Sequence, residues 1–86
     1  MDVVFSDHAE GKFQLLEERD FPVSREQVLD CIHRPDKIEE GYKGRKIAQK
    51  AVDGSHVLRV VYSETAGGKR IITFYPGRRD RYEDPV

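Results

Sequence analysis

The sequence predicts an α+β domain, with two N-terminal helices packed on one face of a four-stranded antiparallel sheet. Three observations lead there. Apolar residues recur at helical spacing through the segment that ends near Pro35. From Lys37 onward, β-branched and aromatic residues alternate with polar ones. Two turn signals, Asp53-Gly54 and Ala66-Gly67-Gly68, divide that second half into hairpin-sized pieces. At 86 residues there is room for one hydrophobic core, so a single domain is expected over residues 1–82, with 83–86 as a frayed C-terminal tail.

Residues 2–5 read as a short strand. Asp7 as N-cap and Glu10 three residues on make a capping box for the first helix. Ala9, Phe13 and Leu16 then form its apolar face, and Asp20-Phe21-Pro22 ends it. Ser24 and Gln27 form a second capping box, with Val23 and Val28 at the spacing of a hydrophobic staple. Val28, Leu29 and Ile32 line the inner face of that helix, and Pro35 stops it because a residue before proline is pushed out of the α region. Strands are expected over 37–42, 45–52, 56–64 and 70–76.

Alternation assigns the faces. Leu58, Val60, Tyr62, Ile72 and Phe74 should look toward the helices, leaving Val57, Arg59, Val61, Ser63, Ile71, Thr73 and Tyr75 on the other side. If Asp53-Gly54 closes a two-residue turn, Lys50 falls opposite Val57 and Ala48 opposite Arg59. Lys46 and Lys50 then join Arg59 and Tyr75 on the side away from the helices.

Charge is divided unevenly along the chain. Residues 1–42 carry eleven acids and five bases, a net of −6, and residues 43–86 carry five acids and ten bases, a net of +5. A basic patch that meets an anionic partner, RNA first among them, is one reading; mutual neutralisation across the folded surface is the other. The lone Cys31 rules out an internal disulfide, and no apolar run approaches the roughly 18 residues of a membrane span, so no membrane association and a cytoplasmic location are expected. A chain this short also gains from pairing with a second copy, which makes a homodimer a candidate.

The expected basic platform carries the candidate chemistry. Lys46, Lys50, Arg59 and Tyr75, with Arg78, Arg79 and Arg81 leaving the last strand, could hold phosphates and stack a base. They could equally stabilise the charge that develops when a ribose 2′-OH attacks its own phosphate. The plain alternative is a solvated sheet face, its long stems covering apolar area. His8, in a first helical turn where the dipole disfavours imidazolium, is a candidate neutral base or simply a surface residue. Cys31 and His33 lack a second ligand pair, so no metal or other cofactor is called for. Cys31 among Val28, Leu29 and Ile32 reads as a packed, inert thiol. Gly41-Tyr42-Lys43-Gly44 has the spacing of a GxxG backbone clamp but leads into a strand, and a turn is the simpler reading.

Several segments together resemble a widespread family of small prokaryotic proteins of unknown function. They are Ser6-Asp7-His8-Ala9, Glu18-Arg19 before Pro22-Val23-Ser24, Arg34-Pro35-Asp36-Lys37-Ile38, Gly44-Arg45-Lys46, Leu58-Arg59-Val60-Val61-Tyr62 and Ile71-Ile72-Thr73-Phe74-Tyr75-Pro76-Gly77. That family is distantly similar to the RelE/BrnT-like toxins of toxin–antitoxin systems. The resemblance implies a helical pair on an antiparallel sheet and a metal-independent endoribonuclease controlled by an antitoxin-like protein. On that implication Arg59, Arg70, Tyr75, Arg78 and Tyr82 are the counterparts of the working groups: Arg59 and Arg78 hold phosphate, Tyr75 positions or deprotonates the 2′-OH, and His8 is an outside candidate for proton transfer, while Lys46, Lys50, Arg79 and Arg81 of the basic platform bind the RNA. The competing expectation is a non-catalytic module that binds RNA or protein.

Overall fold

The computed structural model describes residues 2–83. In chain order they form β1 (Asp2–Phe5), α1 (Asp7–Glu18), α2 (Arg25–His33), β2 (Lys37–Glu40), β3 (Lys46–Ala51), β4 (His56–Thr65), β5 (Gly68–Arg78) and the single-turn α3 (Arg79–Tyr82). The class is α+β, but the sheet is five-stranded and mixed rather than four-stranded and antiparallel, with the order β1-β5-β4-β3-β2. The added strand is β1, which runs parallel to β5 along its edge from Asp2↔Gly68 to Phe5↔Ile71. A third helix, beyond the two expected, also follows β5. Residues 84–86 of the expected tail lie outside the described residues. No helix among the described residues is long and apolar enough to cross a membrane.

Helix α1 starts one residue earlier than its acidic pair suggests. Ser6, not Asp7, is the N-cap: its hydroxyl accepts from Ala9 N at 3.1 Å while donating to Ile72 O of β5 at 2.8 Å. One side chain thus satisfies an orphan helix amide and ties α1 to the sheet. Glu10 pairs with Arg25 of α2 at 2.5 Å. The C-terminus closes as a Schellman motif, Phe21 N donating to Leu16 O at 2.9 Å and Asp20 N to Glu17 O at 3.1 Å, with Asp20 in the left-handed region at φ 61°. Helix α2 has the expected capping box, Ser24 Oγ accepting from Gln27 N and Gln27 Oε1 accepting from Ser24 N.

Two local devices change the expected faces. The β3–β4 loop has three residues, not two, because Asp53 Oδ1 accepts from both Ser55 N and His56 N at 2.7 Å and an Asx turn results. Pairing moves by one residue, so Lys46 lies opposite Tyr62, Ala48 opposite Val60, Gln49 opposite Arg59 and Lys50 opposite Leu58. A one-residue slip exchanges the faces of a whole strand. In β5 a bulge between the pairs Val61↔Thr73 and Tyr62↔Ile71 leaves Ile72 without a partner. Ile71, expected outside, therefore joins the core, and Ile72 is only half-buried. The core between helices and sheet comprises Ala9, Leu16, Val28, Ile32, Ala48, Leu58, Val60, Tyr62, Ile71 and Phe74, with Cys31 at its centre.

Candidate nucleic-acid interface

The face turned away from α1 and α2 is built in rows across the strands. The register gives Lys37↔Gln49, Gln49↔Arg59 and Arg59↔Tyr75, a row of four polar side chains. Beside it runs Glu39, Ile47, Val61 and Thr73, and beyond that Ser63↔Arg70 and Arg70↔Val4. Arg45 is exposed and immediately precedes β3, where continuing the register by one residue beyond Lys46↔Tyr62 sets it on the side of Ser63 opposite the exposed Arg70. On the other side of the polar row, Val57 pairs with Ala51 and Gly77, and there α3 folds over the sheet.

Arg59 and Tyr75 are brought together, as expected, but the guanidinium is already engaged. Its Nε donates to Tyr75 Oη at 3.1 Å, its Nη1 to Glu39 Oε1 at 2.7 Å and also to Gln49 Oε1, and the Tyr82 ring lies 4.3 Å from its central carbon. The side chain is 7% exposed. The hydrogen bond from Arg59 holds the Glu39 carboxyl below the usual carboxylate range. Beyond the ring, Tyr82 O accepts from Lys37 Nζ at 2.7 Å and from Gln49 Nε2 at 3.4 Å.

The other expected site residues are dispersed. His8 is exposed in the first turn of α1, on the opposite layer. Arg78 pairs with His56, so by alternation it belongs to the helix side of the sheet; it is 78% exposed and 3.5 Å from Asp80. Lys46 and Lys50 also sit on the helix side, which corrects their expected place on the platform. Lys46 Nζ is 2.8 Å from Glu64, which raises the lysine's pKa and lowers that of the carboxylate. Lys50 donates to Arg34 O at 2.8 Å at the end of α2. Arg79 clamps α3, donating from its backbone to Ser55 O at 2.9 Å and from its side chain to Glu83 at 2.8 Å. Arg81 is exposed, 5.7 Å from the Tyr82 ring.

Reading the sequence missed Lys37, Glu39 and Gln49 around Arg59, and Arg45 as a companion to Arg70, whereas Tyr82 and Arg70 were among the residues the resemblance pointed to. The available signal for Gln49 was Asp53 itself, whose side chain sets the loop length and hence every β3–β4 pairing. Among the described residues no three His, Cys, Asp or Glu side chains converge as a metal site would require. Comparison with protein-family models, with curated proteins and with solved structures found no match.

Proposed function

We propose that the chain is a non-catalytic RNA-binding module whose contact surface is the open part of the sheet face away from α1 and α2. The observation that carries this reading is the row Arg45–Ser63–Arg70 beside Ile47, Val61 and Thr73 on a face that neither long helix covers. Arginines suit phosphate, hydroxyls supply further hydrogen bonds, and half-buried aliphatic side chains support sugars and bases. The two long helices are net acidic, four acids against one base in α1 and two against one in α2, which favours an RNA strand on the sheet face over the helix face.

A RelE/BrnT-like cleavage mechanism would need Arg59, Tyr75, Arg78 and His8 around one phosphate. They lie on two layers, and Arg59 serves neighbouring side chains, which favours binding over cleavage. Fluorescence anisotropy with a labelled oligoribonucleotide tests the proposal. Binding should be measurable near 50 mM salt and weaken steeply with added salt. Arg45→Ala and Arg70→Ala should each weaken binding about 3- to 10-fold and reduce the salt slope by about one, with the oligonucleotide recovered intact. Absence of binding, or binding indifferent to both substitutions, would overturn the proposal. Cleavage abolished by Arg59→Ala or Tyr75→Phe would restore the catalytic reading.

A further inference from the structure

We infer that the polar row Lys37–Gln49–Arg59–Tyr75 is a nucleotide-binding subsite that α3 occupies, with Tyr82 standing where a base and a phosphate oxygen would sit. The inference rests on the RNA-binding reading and extends its surface beneath the C-terminal helix. A floor made only to support α3 would be apolar, since polar groups under a cover cost free energy unless each is satisfied. Here four polar side chains from four strands lie in one row, and two of them, Lys37 and Gln49, direct donors at a single backbone oxygen.

What Tyr82 presents to the row has the form of a nucleotide. Its carbonyl oxygen takes the Lys37 and Gln49 hydrogen bonds, and its ring lies over the Arg59 guanidinium at 4.3 Å. A phosphate oxygen in the carbonyl's place would set a full negative charge against the Lys37 ammonium, a stronger bond than the one from that ammonium to an uncharged carbonyl. A nucleobase over Arg59 would keep the stacking. Lys37 and Arg59 against Glu39 leave the row with one net positive charge. Gly77 supplies the space: a Cβ there would overlap the Tyr82 ring, so the floor is open to a flat aromatic group.

The cover is built to lift. Helix α3 has four residues, a single turn that has no stability of its own. Its hold on the body is the Arg79 contacts to Ser55 and Asp53 together with Tyr82. A ligand that enters must displace the turn, so the apparent affinity is reduced by the fraction of molecules that are open.

The test uses the full chain and a fluorescein-labelled oligouridylate. Tyr82→Ala should tighten binding about 3- to 10-fold by removing the competing ring, and adding Gly77→Ala to it should abolish that gain, because a Cβ there fills the space the base would take. Hydrogen exchange on the parent should show the Arg79 and Glu83 amides losing protection when the oligonucleotide binds. If the parent binds RNA but Tyr82→Ala binds it no more tightly and those amides stay protected, α3 is purely structural and the inference falls, with the RNA-binding reading intact. If the parent binds no RNA, that reading fails, and uridine monophosphate decides the subsite by itself. Perturbed Lys37 and Arg59 side-chain NMR signals in Tyr82→Ala would support it, and unperturbed signals would overturn it.

Discussion

Arg59 gathers more of the structure than any other charged side chain, and its role follows from where its hydrogen bonds go. Removing it leaves Tyr75, Gln49 and Glu39 without their shared donor. Arg59→Ala should therefore cost about 1–3 kcal/mol in a denaturant melt, and Arg59→Lys should recover little, because an ammonium cannot present a planar fork. Cys31 is the opposite case, a side chain whose chemistry is suppressed. Burial pushes its pKa up to about 12, and the thiol donates to Ala48 O at 3.3 Å. Iodoacetamide should label Cys31 at the rate of global unfolding; rapid labelling of native protein would contradict the burial. The carboxylates give a pH prediction. Glu39 is lowered by the bond from Arg59, Asp30 by that from Arg34, Asp53 by the Ser55 amide and Glu64 by Lys46. Groups with depressed folded pKa values stabilise above their unfolded pKa, ordinarily 3.8 for Asp and 4.5 for Glu, and lose that contribution as pH falls through the folded values. The melting temperature should therefore drop below about pH 4.5, and Glu39→Gln should make that drop shallower.

At the scale of elements, what could be read from the sequence was whatever is settled within a few residues. The α2 capping box is carried by Ser24 and Gln27 alone, and it forms as read. The platform depended on β3 register, which a single Asp53 side chain resets, and on β5 pairing, which a bulge at Ile72 alters. Neither has a periodicity signature, so Lys46 and Lys50 were misplaced while the Arg59–Tyr75 pair, upstream of the bulge in the β4–β5 ladder, was not. The same local logic identifies positions open to improvement. Between β2 and β3 the chain turns with Lys43 at φ 58°, ψ 41° and Gly44 at φ 77°, and Arg45 N donates to Tyr42 O at 3.2 Å. That is a type I′ turn, in which asparagine suits the first central position far better than lysine. Lys43→Asn should stabilise by about 0.5–1 kcal/mol, read as a rise of several degrees in the melting temperature. Asp20→Gly, at the left-handed closing residue of α1, should act in the same direction by a smaller amount, since glycine costs more entropy to order. Unchanged melts for both variants would show that these backbone conformations carry no strain.

For the whole molecule, α1 and α2 make the helix layer net acidic, while the basic half of the chain is shared between the two sides of the sheet, Lys46, Lys50 and Arg78 on the helix side and Arg59 and Arg70 on the other. The groove between α1 and α2, about 960 Å³, is lined by Glu10, Glu17 and Glu18 with Phe13, Gln14 and Arg25, on the layer opposite the arginine row. The Cα extents of the domain are 35 × 32 × 21 Å, so charges on the helix layer lie on the order of 20 Å or more from an RNA strand on the sheet face. The Debye length is about 30 Å at 10 mM salt and about 8 Å at 150 mM, so the acidic layer is felt through the domain in the first condition and screened in the second. Glu17→Gln and Glu18→Gln together should then tighten oligoribonucleotide binding measurably near 10 mM salt and leave it unchanged near 150 mM. Arg45→Ala and Arg70→Ala should behave differently, lowering affinity at both salts because each removes a direct phosphate contact. The pattern separates distance from contact. If the glutamate pair changes affinity equally at both salts, those side chains touch the RNA, and the binding surface lies on the helices rather than the sheet.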